Sequence, residues 1–270
     1  MKFPRLYLPA IKSLILVIFI AFTCLPLVQM TLISFIATLP TPDTEVGTLT
    51  LSNYAGIWTD PNLRSAFLNS IAYVLINILI TIPTAIPAAY AFSRMSFLGD
   101  KYLFLAFIAF RITPPVVLTL PIFQLFSALG IVNSVFGIAL AHCLFNLPIS
   151  IWILQGFISA IPKELDETAF LDGYSHPRFI WKFLLPQIAP GIAVTAFFCF
   201  MFSWVELLLA KTLTAVAAKP IAATMTKTAS SAGYELGLLA AAGTLTIIPG
   251  AIVIYFVRNY IAKGFALGRV

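Results

Sequence analysis

Long apolar runs separated by short polar connectors set the pattern of this chain. The runs fall at Ser13 to about Leu39, Phe67–Phe92, Tyr102 to about Leu129, Val135–Ile161, Ile188 to about Leu209 and Leu236–Ile261. A helix of about 20 apolar residues spans the hydrocarbon core of a bilayer, so the pattern predicts six transmembrane helices. The first run is longer than the ~7–15-residue core of a signal peptide and lacks a small-residue cleavage site, so it reads as a span. Pro40–Ser65 reads as a polar surface connector and Gly130–Ser134 as a tight turn. Thr212–Glu235 is less apolar than the spans and is expected to re-enter the membrane in part.

One connector, Ile161–Pro186, reads as a folded, water-facing element. Pro162 suits a first helical position, because its missing N–H has no partner there in any helix. Glu164, Asp166 and Glu167 follow in the first turns, where carboxylates favour the positive end of the helix dipole. Gly173 suits a left-handed cap, which predicts a short helix over about Pro162–Asp172. Ser175 and Pro177 then signal a second start, an apolar run that Pro186 is expected to close. Leu165, Ala169 and Thr168 share one face of the first helix, a small smooth patch that a groove on another protein would accept.

Composition turns this pattern into a class. Of the 270 residues 60% are hydrophobic and 10% charged, against about a quarter charged in soluble domains. With a mean hydropathy of +1.00, the chain is a polytopic membrane protein. Cys24, Cys143 and Cys199 lie inside apolar runs without paired spacing, so they read as small hydrophobes. The net charge of +6 comes from dispersed residues and forms no nucleic-acid footprint. It does report topology. With both termini inside, the inner segments hold Lys2, Arg5, Lys12, Arg94, Lys101, Lys163, Arg178, Lys182, Arg258, Lys263 and Arg269, and the outer ones Arg64, Lys211, Lys219 and Lys227. The 161–186 connector is then cytoplasmic.

Polar residues inside the spans are the candidate chemistry. Pro26, Pro83, Pro87, Pro114, Pro115, Pro121, Pro148, Pro190 and Pro249 each remove a backbone donor and are expected to kink or break their helices, which suits a bundle around a pathway. Arg111 lies about nine residues into the third span, roughly 14 Å at helical rise and near the midplane. It must face the bundle interior. Its fork of donors suits either carbonyls freed by Pro114 and Pro115 or the hydroxyls of a solute. Glu206 beside Trp204 offers an acceptor and a flat apolar face for a sugar or polyol; the plainer alternative pairs Glu206 with Lys211. Asn146 fits either a pathway or interhelical glue, and Gln124 reads first as glue. His142, alone on its span, reads as a packed core residue. Gly233 and Gly237, continued by Ala240, Ala241, Ala242 and Gly243, read as a close helix contact.

Several motifs carry a family resemblance. The order Glu167-Thr168-Ala169, three residues, Gly173, nine residues, Phe183-Leu184-Leu185-Pro186 resembles the EAA coupling loop of permease subunits in bacterial ATP-binding-cassette importers. Thr168 replaces an alanine and Phe183 an isoleucine. Pro87–Lys101 resembles the family's segment between its second and third helices, and Arg111–Phe123 the third helix of sugar and polyol permeases. Phe202–Leu209 is similar to the F-S-W-N-E-F-L-F pattern of carbohydrate permeases, with Val205 in place of the asparagine. From about Phe67 onward the chain resembles the smaller, MalG-like permease of type I carbohydrate importers.

The resemblance implies an all-α integral membrane protein with six transmembrane helices, the type I importer permease fold and both termini cytoplasmic, in a bacterial cytoplasmic (inner) membrane. Residues 1–65 would be a first helix and its connector, 66–262 the core with the coupling loop 161–186, and 263–270 a cytoplasmic tail. Implied partners are a second permease in a heterodimer, two ATP-binding subunits, an extracytoplasmic solute-binding protein and membrane lipid. Glu167, Thr168, Ala169, Gly173 and Pro186 would couple to the ATPase, and Arg111, Asn146, Trp204 and Glu206 would line the path of a sugar or polyol, glycerol or a sugar alcohol among them. The chain has no phosphate loop, zinc-protease motif or nucleophile elbow, so no catalytic or metal residue is expected, and ATP and magnesium belong to the partner ATPase. The alternative is a secondary transporter or channel driven by an ion gradient, with Glu206 as its ion-site candidate.

Overall fold

The computed structural model describes residues 7–38, 45–215, 217–228 and 236–267 of the chain, and most of them are helical. The helices are α1 (Tyr7–Ser34), α2 (Ser52–Thr59), α3 (Pro61–Arg94), α4 (Asp100–Ile112), α5 (Pro115–Ala128), α6 (Val135–Ser159), α7 (Glu164–Leu171), α8 (His176–Phe179), α9 (Leu185–Val205), α10 (Leu208–Leu213), α11 (Ile221–Thr228) and α12 (Leu236–Leu267), with a π turn over Ile180–Leu184. Among the described residues β pairing is confined to one isolated bridge, Ile36 with Leu49. Five helical stretches are long and apolar enough to cross a membrane, and α4 with α5 makes a sixth if that bent pair counts as one span.

The chain divides into two compact units, Met1–Arg64 with Met225–Pro249, and Ser65–Thr224 with Gly250–Val270. In the first, the Asn53 side chain donates to the carbonyls of Ser34 and Ile36, both at 2.9 Å. Gly237 makes room for it, since a Cβ there would lie 2.6 Å from the Asn53 amide, and Gly243 makes similar room for Met30. The small residues at the start of α12 therefore do serve close packing. Gly233 lies outside the described residues, as do Lys2, Arg5 and Arg269.

In the second unit α6 is the central element. It buries residues along its whole length, from Gly137 to Ile158. Gly191 of α9 lets the Phe157 ring of α6 approach to within 2.7 Å of where a Cβ would stand. Pro83 and Pro87 in α3, Pro148 in α6 and Pro190 in α9 sit inside continuous helices.

Pro114 behaves differently. The third run is two helices, α4 and α5, bent by 99° at the break between them. Thr113 and Pro114 are both extended (ψ 126° and 130°), and Pro115 opens α5. A proline disfavours helical geometry in the residue before it, so two in a row extend both Thr113 and Pro114. Pro115 then takes the first-turn position where its missing N–H is harmless.

The fifth run is also redrawn. Pro186 does not close a short helix: helical geometry runs from His176 to Val205, 30 residues, with Pro186 near the start of α9. The π turn explains this. A proline ring clashes with the carbonyl four residues back. The wider turn ends where the Leu185 N–H reaches the Ile180 carbonyl, relieving that clash just before Pro186. The helix stops at Val205 rather than Leu209, and the following residues fold back onto the unit. There the Asn133 N–H donates to the Leu213 carbonyl at 2.7 Å, the Asn69 amide to the Ala217 carbonyl at 2.9 Å, and the Ile221 N–H to Ser70 Oγ at 2.9 Å.

Candidate functional site

Two regions collect the residues that the sequence singles out. The first is the connector between α6 and α9. Helix α7 starts at Glu164, with Lys163 as cap, so Pro162 stands before the helix rather than at its first position. The helix ends in a Schellman arrangement: Gly173 has φ +81°, its N–H donates to the Phe170 carbonyl at 3.0 Å, and the Tyr174 N–H donates to the Ala169 carbonyl at 3.1 Å. Ser175 caps α8 by backbone geometry, with no side-chain hydrogen bond.

The smooth patch expected on α7 faces inward. Ala169 is buried and Leu165 half-buried, both packed with Ala85, Ala89, Phe179 and Leu184. The outward face carries Glu167, Thr168 and Leu171, the last 88% exposed. The Thr168 hydroxyl turns back to the Glu164 carbonyl at 2.7 Å, a local bond that leaves its methyl outward-facing.

Of the three first-turn carboxylates, Asp166 is buried and does more than complement the helix dipole. Arg94, the last residue of α3, donates from Nε to Asp166 Oδ2 at 3.0 Å and from Nη2 to Oδ1 at 3.2 Å. The same Nη2 donates to the Ile161 carbonyl at 2.9 Å, and Tyr90 donates to Asp166 Oδ2 at 2.9 Å. Such a two-point arginine–carboxylate contact fixes orientation as well as distance. Sequence reading missed it, having counted Arg94 for topology alone.

The second region lies between α3, α6 and α9. Glu206 follows the end of α9 in extended geometry, and its carboxylate accepts from the N–H groups of Leu209 (2.9 Å) and Ala210 (3.2 Å) at the start of α10. Those N–H groups have no partner inside the helix, which is why an acceptor belongs there. Glu206 Oε2 also lies 3.3 Å from His142 Nε2. His142 is therefore not alone, and Glu206 is partnered by it rather than by Lys211. The imidazole packs edge-on against Tyr73 (5.3 Å) and Phe202 (5.6 Å).

Arg111 sits with its guanidinium 5.0 Å from the centre of the same Phe202 ring. Its buried Nε has no hydrogen-bond partner among the described residues, so that atom clamps no proline-freed carbonyl. Asn146 is fully buried and donates to Asn77 Oδ1 at 2.8 Å and Ser203 Oγ at 3.2 Å. Asn77 in turn donates to the Ala139 carbonyl at 3.2 Å. This is glue between three helices, although Asn146 Oδ1 and His142 Nδ1 are left without partners. Asn77 was unread in the sequence, where a single polar residue amid apolar ones was its only signal. Gln124 is exposed, and no hydrogen bond from it to another helix is seen among the described residues.

Phe202 thus meets Arg111 and His142, and His142 meets Glu206, while Asn146 is bonded to Asn77 and Ser203. Trp204 has other neighbours, stacking on Phe200 at 5.5 Å and meeting Phe67 edge-on at 6.3 Å. A cavity of about 230 Å³ lined by Phe92, Asp100, Lys101, Phe104 and Gln155 takes in none of these residues.

Comparisons with known proteins identify the class. Residues 81–266 match the family described as "Binding-protein-dependent transport system inner membrane component". The chain is 31% identical to the osmoprotective compounds uptake permease protein of Synechocystis sp., over 84% of this chain and 76% of that one. It is 32% identical to the trehalose transport system permease protein of Mycobacterium tuberculosis, over 83% and 82%. With the trehalose/maltose transport system permease protein of Thermococcus litoralis the identity is 30%, over 96% and 97%. The crystal structure of a bacterial ABC transporter involved in the import of the acidic polysaccharide alginate superposes with a TM-score of 0.80 at 19% identity, over 96% of this chain and 99% of that one. That likeness shows the fold. The family match also decides against the ion-gradient alternative. The chain belongs to the binding-protein-dependent transport system inner membrane components, as a multi-pass permease subunit of an ATP-binding-cassette importer.

Proposed function

We propose that this permease imports a carbohydrate handed over by an extracytoplasmic binding protein, and that the 161–186 segment is the cytoplasmic face on which an ATP-binding subunit docks. The observation that carries the docking role is the two-sided build of α7. Its inner face is fastened by Arg94–Asp166 and by Ala169, while Glu167, Thr168 and Leu171 face outward on a rigid base. Gly173 sets the turn, and the π turn before Pro186 carries the segment into α9 without a break. A second permease would complete the path in a heterodimer, with ATP and magnesium held by two ATP-binding subunits.

For the cargo, the printed names of relatives support a sugar: trehalose for one, trehalose and maltose for another. Arg111 over Phe202 and the polar edge of His142, Glu206 and Asn146 supply donors and acceptors suited to hydroxyls. A polyol such as glycerol is the second reading, favoured by the run Arg111–Phe123. Uptake into proteoliposomes containing the assembled complex separates them. ATP-dependent accumulation of labelled trehalose or maltose supports the sugar reading, and accumulation of glycerol alone would move the assignment to polyols. Uptake that follows an imposed ion gradient without ATP would contradict both.

A further inference from the structure

Helix α7 is tied to the membrane helices in three ways, two through the chain and one through side chains. Towards α6 the chain passes through the non-helical stretch 160–163. Towards α9 it passes through the Gly173 turn and the π turn, where Trp181 is 76% exposed. Both of these links run through irregular or widened backbone. The third link is not covalent. Arg94 and Asp166 are 7% and 8% exposed, so water and salt screen the pair little. Tyr90, one turn earlier on α3, holds the same carboxylate, and Ala85, Ile86 and Ala89 of α3 share one cluster with Ala169.

Helix α3 continues unbroken from this attachment to the polar cluster. Asn77, roughly 25 Å along the helix from Arg94 at ordinary helical rise, receives the Asn146 amide and the Ser203 hydroxyl. Tyr73 lies against His142, the partner of Glu206. One helix therefore joins the base of α7 to the residues gathered around Phe202.

We propose that α3 is the member that carries a displacement of α7 into the membrane, with Arg94–Asp166, closed by Tyr90, as its attachment. This rests on the docking role given above to the 161–186 segment. Arg94, Asp166 and Tyr90 are positioning residues: they touch neither solute nor nucleotide, and they set where α3 goes when α7 is pushed. A charge pair is suited to this because its geometry is two-pointed and resists sliding.

The test uses the whole complex in lipid nanodiscs, with Cys24 replaced by Ser and nitroxides at two exposed positions, Leu68 on α3 and Phe136 on α6. Pulsed electron resonance reads the distance between them without nucleotide and after trapping with ATP and vanadate. The native chain is expected to show a shift. Asp166→Asn and Arg94→Gln should each cut it by about half or more while the ATP-binding subunit still co-purifies. Arg94→Asp combined with Asp166→Arg should restore it, an outcome that general destabilisation would not produce. Tyr90→Phe, a gentler change, should reduce the shift by a smaller fraction.

Neutral variants that bind the ATPase and keep the native shift would overturn the proposal. So would a native complex that binds the ATPase without any shift. Where the neutral variants fail to assemble, Tyr90→Phe decides, and a native shift in that variant overturns the proposal. Absence of the ATP-binding subunit from the native complex would instead sink the docking role itself, and the α3 attachment with it.

Discussion

Two buried polar pairs stand in opposite circumstances. At Arg94–Asp166 both carboxylate oxygens are engaged, Tyr90 adds a third bond, and the guanidinium Nη2 that donates to Oδ1 also donates to the Ile161 carbonyl. At His142–Glu206 the carboxylate also takes two backbone N–H groups of α10, but the contact between the side chains is a single one of 3.3 Å, and among the described residues His142 Nδ1, Arg111 Nε and Asn146 Oδ1 have no partner. A saturated network holds one geometry. An unsaturated one leaves buried groups whose cost falls when a partner arrives. On the proposed carbohydrate path, the first pair would serve as scaffold and the second would exchange contacts during transport.

Variants can widen or collapse that contrast. The largest effect is expected from Asp166→Ala, which leaves Arg94 buried and uncompensated at a cost of about 3–5 kcal/mol. Thermal unfolding of the purified chain should register it as a large loss of stability. Glu206→Gln keeps an acceptor for one N–H of α10 but loses the charge opposite His142, for about 1.5–3 kcal/mol. Here transport should fall further than stability does, and parallel losses would place this pair in the scaffold too.

Arg111→Lys comes next. The guanidinium Nε has no hydrogen bond to lose among the described residues, and the ring contact is worth about 0.5–2 kcal/mol and survives in part. Unfolding should shift little, while the solute concentration for half-maximal uptake rises. Thr168→Ala should do least, within about 0.5 kcal/mol, because the hydroxyl serves only its own helix. Thermal unfolding of that variant should match the native chain.

The sequence carried the backbone of this picture unevenly. Six apolar runs and the spacing from Glu167 to Pro186 were legible because span length and turn residues act locally. Gly173 at φ +81° is a case in point, since one residue type answers one backbone need. The 99° break was half legible: paired prolines announced a fault, and its size depended on where α5 packs. Direction of facing was not legible on α7. Leu165 and Ala169 could face a partner or the chain's own core, and Arg94, 72 residues away from Asp166, decided it. His142 looked isolated for the same reason, because Glu206 is 64 residues away.

Pro186 taught a different lesson. Its local preference to end a helix was overruled by five residues of π geometry just before it. Asn146 was legible as polar and buried, and its partner Asn77 was not, because nothing in one chain pairs two asparagines 69 residues apart.

The central claim is that the outer face of α7 receives an ATP-binding subunit. Its most direct test is to purify the tagged chain from membranes that also express the products of neighbouring genes. The native chain and variants Leu171→Asp and Gly173→Arg would be compared for the ATP-binding subunit they retain. Leu171 is exposed and supports no packing of its own, so its change tests the surface rather than the fold. The account predicts that the native chain brings the subunit with it and both variants lose it. Retention by both variants, or no ATP-binding subunit with the native chain, would contradict it.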